Sequence, residues 1–234
     1  MLADEGCHVA ICARDRRRLD DVADEIERRG VRSLAISADV LVSSDIGQAM
    51  KEVTSVWGGL HILINNVGGG GRWGSPVVEQ TGEDVWWDVY SKNAMAAVRF
   101  TMQAIPLMKK QQWGRVVTIS SVHGREGGGR PWFNMAKAAE ISLMKTLAMN
   151  PDLVRCGLTF NTVAPGAIMI EGTGWAAEKT EKPEQFKMLL EQLPLGRMGT
   201  PEEVANVVVF LCSQGASLVN GACIIVDGGE SKSF

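Results

Sequence analysis

Apolar positions along this 234-residue chain fall into short unbroken runs, separated by longer stretches of helical period. The runs Cys7–Ala13, Val31–Ser37, Leu60–Asn65, Val116–Ser120, Leu158–Val163 and Ala222–Val226 predict strands. Continuous rather than alternating hydrophobicity is the mark of strands covered on both faces. The intervening spacing predicts helices over Asp15–Arg29, Ser43–Val56, Glu83–Gln112, Trp132–Asn150 and Pro201–Ser213, the third kinked near Pro106. Strands joined by helical crossovers pair in parallel, so the pattern predicts an α/β, doubly wound, mostly parallel, Rossmann-like sheet. With no internal repeat and no linker, residues 1–234 read as a single domain.

The beginning breaks this pattern. Met1–Gly6 reads as the last turn of a helix stopped by Gly6, and a strand follows at once. A nucleotide-binding unit of this class opens with a strand, a glycine-rich turn and a helix whose N-terminus receives a pyrophosphate. Here the first strand, the glycine-rich turn and most of the first helix are missing from the pattern. That strand belongs mid-sheet, so two strand edges are expected either to stand unpaired or to pair with each other.

Composition narrows the partners. A formal net charge of -3 and a pI of about 5.7 give no basic surface for nucleic acid or an anionic membrane. No apolar run approaches the roughly 18–20 residues of a membrane helix, and the N-terminus lacks a signal-peptide layout. The five cysteines (Cys7, Cys12, Cys156, Cys212, Cys223) are scattered and odd in number, as expected of reduced thiols in a cytoplasmic protein. The histidines His8, His61 and His123 have no partner at ligand spacing, so no metal site is expected.

Candidate chemistry concentrates between Ser120 and Lys137. Ser121 lies twelve residues before Phe133, and Phe133-Asn134-Met135-Ala136-Lys137 places an aromatic ring and an ammonium one helical turn apart on one face. With tyrosine at 133 the ammonium would lower the phenol's pKa and make it an acid usable near neutrality. Phe133 has no proton to give.

These residues, with several others, resemble the short-chain dehydrogenase/reductase family, close to its acyl-carrier-protein-reductase-like members. Asn65-Asn66-Val67-Gly68 resembles the N-N-A-G that closes the family's fourth strand. Asn93 matches the helix asparagine of its catalytic tetrad, and Ser121 and Lys137 match the serine and lysine. Pro165-Gly166 and Asp227-Gly228-Gly229 match motifs after the sixth and last strands. Three departures stand out: the T-G-x-x-x-G-x-G segment has no counterpart, Phe133 replaces the tyrosine, and Ile170 stands where many members carry threonine, with Thr173 nearby.

The resemblance implies NADP(H)-dependent hydride transfer between a small-molecule carbonyl and an alcohol. Ser121 would bind the carbonyl oxygen, while Lys137 would bind the nicotinamide ribose and, with Asn93, hold a relay water. Arg14, Asp39, Val40, Asn66, Lys137, Pro165 and Gly166 would contact the cofactor. Arg14, following Ala13, suits a 2′-phosphate and hence NADP(H) over NAD(H), or else is one of several basic residues in a solvated helix start. Asp39 is an adenine-contacting acid or part of a helix N-cap. Residues 167–193 correspond to a variable substrate lid, and Gly69–Gly74 and Gly127–Gly129 to loops beside the cleft. A homo-oligomer, tetramer or dimer, is expected from the helices Glu83–Gln112 and Trp132–Asn150. The lost phenol and the lost phosphate turn imply weak or absent turnover. A non-catalytic binding or scaffold protein is the alternative, and ester hydrolysis by Ser121 with His123 a further one.

Overall fold

The computed structural model describes residues 1–233. It contains six strands: β1 (Val9–Ala13), β2 (Ser33–Ser37), β3 (Ile62–Asn65), β4 (Gly114–Ile119), β5 (Leu158–Pro165) and β6 (Cys223–Val226). Nine α-helices connect them: α1 (Arg16–Glu27), α2 (Ser43–Trp57), α3 (Glu83–Tyr90), α4 (Ala96–Gln111), α5 (Pro131–Ala148), α6 (Pro151–Val154), α7 (Gly174–Glu181), α8 (Pro183–Gln192) and α9 (Pro201–Cys212). Every strand pairing is parallel, as the alternation predicted.

The strands form two sheets, β1-β2 and β3-β4-β5-β6. Of the two arrangements expected for the interrupted sheet, the first therefore holds: β1 and β3 do not pair with each other. Their open edges border an apolar cavity of about 1320 Å³, lined by Ala10, Cys12, Ile62, Ile64, Phe100 and Val208 among others. Ahead of β1, Gly6 takes φ +82° and donates its N–H to Ala3 O, while Cys7 N donates to Leu2 O. These bonds close the expected helix-ending turn.

The four-stranded sheet is covered on both faces, which is why its strands read as continuous apolar runs. Successive residues of β4 point to opposite sides. Val116 joins Met108, Met144, Leu158 and Phe160 beneath α4 and α5. Val117 joins Val163, Val208 and Leu211 beneath α9. Local chemistry sets the helix starts. Thr200 and Glu203 form a reciprocal capping box with Pro201 in the first turn of α9, and Asp15 caps α1 at Arg18 N.

One predicted element is divided. The helix expected over Glu83–Gln112 breaks at a π-turn, Ser91–Met95, rather than at Pro106, which lies inside α4. The break has a side-chain cause: Asn93 Nδ2 donates to Val89 O at 2.7 Å and to Gly69 O at 2.9 Å. Its amide thus competes for a helical carbonyl while tying the helix to a loop.

Candidate active site

The site forms where the C-terminal ends of β3, β4 and β5 meet the start of α5 and the π-turn. The crevice at the carboxyl ends of strands is where open α/β sheets bind ligands. Ser120, at the end of β4, donates its hydroxyl to Lys137 O at 2.8 Å and so fixes α5 to the strand. Gly124, in the following turn, lies so close to α5 that a Cβ there would be 2.8 Å from the Lys137 carbonyl. Only a residue without a side chain fits that approach without moving the helix.

Lys137 is buried, and its ammonium is fully engaged. Nζ donates to Ile119 O at 2.9 Å and to the two oxygens of Glu140 at 3.0 and 3.2 Å. It also stands 5.8 Å from the centroid of the Phe133 ring. Asn93 is fully buried, and its Oδ1 accepts from Gly69 N at 3.2 Å. A Cβ built at Gly68 would lie 2.6 Å from Asn93 Oδ1 and 3.1 Å from Lys137 Nζ. The two tetrad-like side chains thus converge on one glycine. Phe133, half-buried, packs beside Gly71 and edge-on to His123, with ring centroids 6.5 Å apart.

Ser121 caps the short turn after β4, its Oγ accepting from His123 N at 3.2 Å. The His123 imidazole makes no bond to that hydroxyl, and its Nδ1 is buried without a partner. An ester-hydrolase arrangement of the two therefore has neither the serine–histidine hydrogen bond nor a carboxylate behind the imidazole among the described residues.

The remaining residues spread along the same rim. Arg14 is exposed and only loosely paired, Nη1 to Asp39 Oδ2 at 3.9 Å. Asp39 Oδ1 accepts from Leu41 N, a local cap just ahead of α2. Val40 is buried against Ile46, Ala96 and Phe100, leaving its backbone as its means of contact with a ligand. Asn66 is exposed beyond β3. Pro165 closes β5, and Gly166 is crowded by Glu230 and Asp227. Ile170 is exposed, and Thr173 turns its hydroxyl back to Ile170 O. Over this region lie α7 and α8, with Arg72 bridging to Glu178 at 3.1 Å and stacking on Trp175. Trp132 is wholly buried against Val89 and Ala136.

Sequence reading missed Glu140. It lies three residues after Lys137 on the inner face of α5 and is 1% exposed. Burial pushes its carboxyl up to about 7, and the Lys137 charge and hydrogen bond pull it only part of the way back. A carboxyl raised on folding adds stability that is complete below its unfolded value and lost as pH rises through the folded one. We predict that stability falls between about pH 4.5 and 7 by a component that Glu140→Gln removes. Urea unfolding across this range checks it; equal slopes for both proteins would refute it.

No helix among the described residues is long and apolar enough to cross a membrane. The family model described as enoyl-(acyl carrier protein) reductase matches residues 1–231. Relatives include 3-oxoacyl-(acyl-carrier-protein) reductase FabG of Aquifex aeolicus, 36% identical over 97% of this chain and 89% of that protein. Cyclohexanol dehydrogenase of Rhodococcus sp. (strain TK6) is 39% identical over 92% of this chain and 79% of its own length. Among solved structures, actinorhodin polyketide ketoreductase with NADPH superposes with a TM-score of 0.89 at 28% identity, covering 99% of this chain and 90% of that one. Geometry, family model and relatives agree: the chain belongs to the short-chain dehydrogenase/reductase family of oxidoreductases.

Proposed function

We propose that this protein is an NADP(H)-linked carbonyl reductase of low turnover, acting on a small-molecule ketone or its alcohol. The observation that carries this reading is the convergence of Asn93 and Lys137 on Gly68 beside Ser121, with Phe133 in place of an acid. At that end Ser121, Asn93 and Lys137 would face a nicotinamide riboside, and the lack of a Cβ at Gly68 is what lets Asn93 Oδ1 and Lys137 Nζ close in on its backbone. At the adenosine end, the exposed Arg14 is only loosely held by the part-buried Asp39 and so is able to take a phosphorylated ribose. Backbone of Val40 and the side chain of Asn66 line the path between, and Pro165 and Gly166 border the nicotinamide end. No glycine-rich strand-to-helix turn occurs among the described residues, so no role is assigned to a pyrophosphate cradle.

When bound, the cofactor supplies or accepts the hydride. The chain's own residues orient the carbonyl and manage the proton. The Ser121 hydroxyl donates to the carbonyl oxygen, which localises the charge that develops there. Asn93 holds the Gly68–Gly70 backbone and with it the floor of the site. With Phe133 unable to donate, water beside Lys137 and Asn93 is the proton source, and turnover is low for that reason. The segment 167–193, carrying α7 and α8, acts as the substrate lid of the single domain, latched through Arg72 and Glu178. Five unpaired cysteines accord with a cytoplasmic setting.

Titration with NADPH should quench tryptophan fluorescence, and Arg14→Ala should weaken NADPH on the order of tenfold while leaving NADH nearly unchanged. Equal losses for both nucleotides would remove the assignment of Arg14. A complete lack of quenching would favour the second reading, a non-catalytic scaffold. That reading draws on the engaged Lys137 and on an apolar hollow of about 930 Å³ between α3 and α5, where Trp87 and Met135 are exposed. The same hollow supports a homo-oligomer, dimer or tetramer, under either reading.

A further inference from the structure

The Lys137–Glu140 pair is hard to explain as a stability device. Both side chains are almost fully buried, and replacing such a pair by apolar residues of like volume is often neutral or stabilising. Its geometry has a chemical consequence. An ammonium has three N–H donors and no acceptor. Here one goes to Ile119 O and the other two reach the two oxygens of Glu140, so while Glu140 is ionised none is left for a ribose hydroxyl, a water or a phenol.

We propose that Glu140 is a positioning residue whose carboxylate holds the Lys137 ammonium and cancels its charge, and whose protonation frees that ammonium toward Phe133. Protonation turns one carboxylate oxygen into an O–H donor, so that oxygen no longer attracts the ammonium and one Lys137 N–H is released. The lysine then stands as an uncompensated cation 5.8 Å from the ring at position 133. The carboxyl, raised by burial to about 7, makes this exchange within the neutral range. The elements packed on α5 carry the following charged and titratable groups. From α3 these are Glu83, Asp84, Asp88 and Tyr90; the π-turn brings Lys92, β4 brings Arg115, α6 brings Asp152, and the turn after β4 brings His123; β5 brings none. Lys92 lies over Trp73 and Arg115 over Trp113. Among the described residues, Lys137 alone forms an ion pair with Glu140.

The inference deepens the oxidoreductase reading and rests on it for its effect on turnover, whereas its test uses neither cofactor nor substrate. The chain has one tyrosine, Tyr90, so Phe133→Tyr adds a phenol whose ionisation is read by ultraviolet difference against the unaltered protein. With Glu140 present, that phenol should titrate near the ordinary value of about 10. In Phe133→Tyr/Glu140→Gln it should titrate lower by about 1 unit or more, because the ammonium is no longer cancelled. Identical midpoints would overturn the proposal. Should the double variant not fold, the unaltered protein still decides. Its Lys137 Cε resonance should shift with a midpoint at about 7, together with the Glu140 carboxyl. A resonance flat through that range would overturn the proposal as well. Failure of NADPH to bind would count against the oxidoreductase reading and leave both titrations interpretable.

Discussion

Replacing Phe133 by tyrosine should raise carbonyl-reductase turnover on the order of 10²-fold. The substitution adds one hydroxyl on the helix face already shared with Lys137, four residues on. It also borders the Gly71 backbone and the His123 ring, so no new backbone position is required. A positioned acid supplies roughly 10²–10⁴ in rate, and the expected gain lies at the lower end for a specific reason. Lys137 shares its charge with Glu140, and a phenol facing a compensated lysine is a weaker acid than one facing a free cation. Adding Glu140→Gln should therefore raise the gain further. NADPH consumption with a panel of simple ketones measures both steps. A double variant slower than Phe133→Tyr alone would mean that Glu140 aids Lys137 instead of restraining it.

The largest stability effect is expected one residue away. Trp132→Ala should cost about 3–5 kcal/mol. Its indole is fully buried and meets Trp86 edge-on, with centroids 5.3 Å apart, while packing on Val89 and Ala136. Truncation leaves a cavity between α3 and α5 that neither helix can close, since α5 is held to β4 through Ser120. Trp87, on the outer face of α3 and 60% exposed, provides the contrast. Its replacement by alanine should change monomer stability by no more than about 0.5 kcal/mol. Chemical denaturation of the two variants compares them directly. A loss below about 1 kcal/mol for Trp132→Ala would mean that this indole does not anchor the α3–α5 contact.

Neighbouring tryptophans of such different roles show what the sequence could and could not reveal. Strand positions were legible because each run is apolar on both faces, and all six runs are strands, in the two sheets β1-β2 and β3-β4-β5-β6. The division of Glu83–Gln112 was not legible. It depends on Asn93 bonding to Gly69, twenty-four residues earlier in the chain, a contact that no local period encodes. Helices α7 and α8 were hidden in a charge-rich stretch whose amphipathic signal is diluted by exposed Glu and Lys.

The site was legible in its spacing and illegible in its electrostatics. Ser121, Phe133 and Lys137 could be placed by counting, whereas the role of Ser120 in fastening the helix could not. Glu140 drew no notice in the sequence. Only folding shows that its position, i+3 from Lys137, faces inward and that it accepts from the same ammonium the missing phenol would have used. Two departures from the local rules of helix and strand, the π-turn and the buried ion pair, both lie at the candidate site.

The most direct test of the account is a single-turnover reaction with NADPH carrying deuterium at its transferable position and a simple ketone. The account predicts deuterium in the alcohol product from the unaltered protein at a low rate, and faster transfer from Phe133→Tyr. It is contradicted if the Phe133→Tyr protein binds NADPH, as read by tryptophan quenching, and still delivers no deuterium to any carbonyl offered.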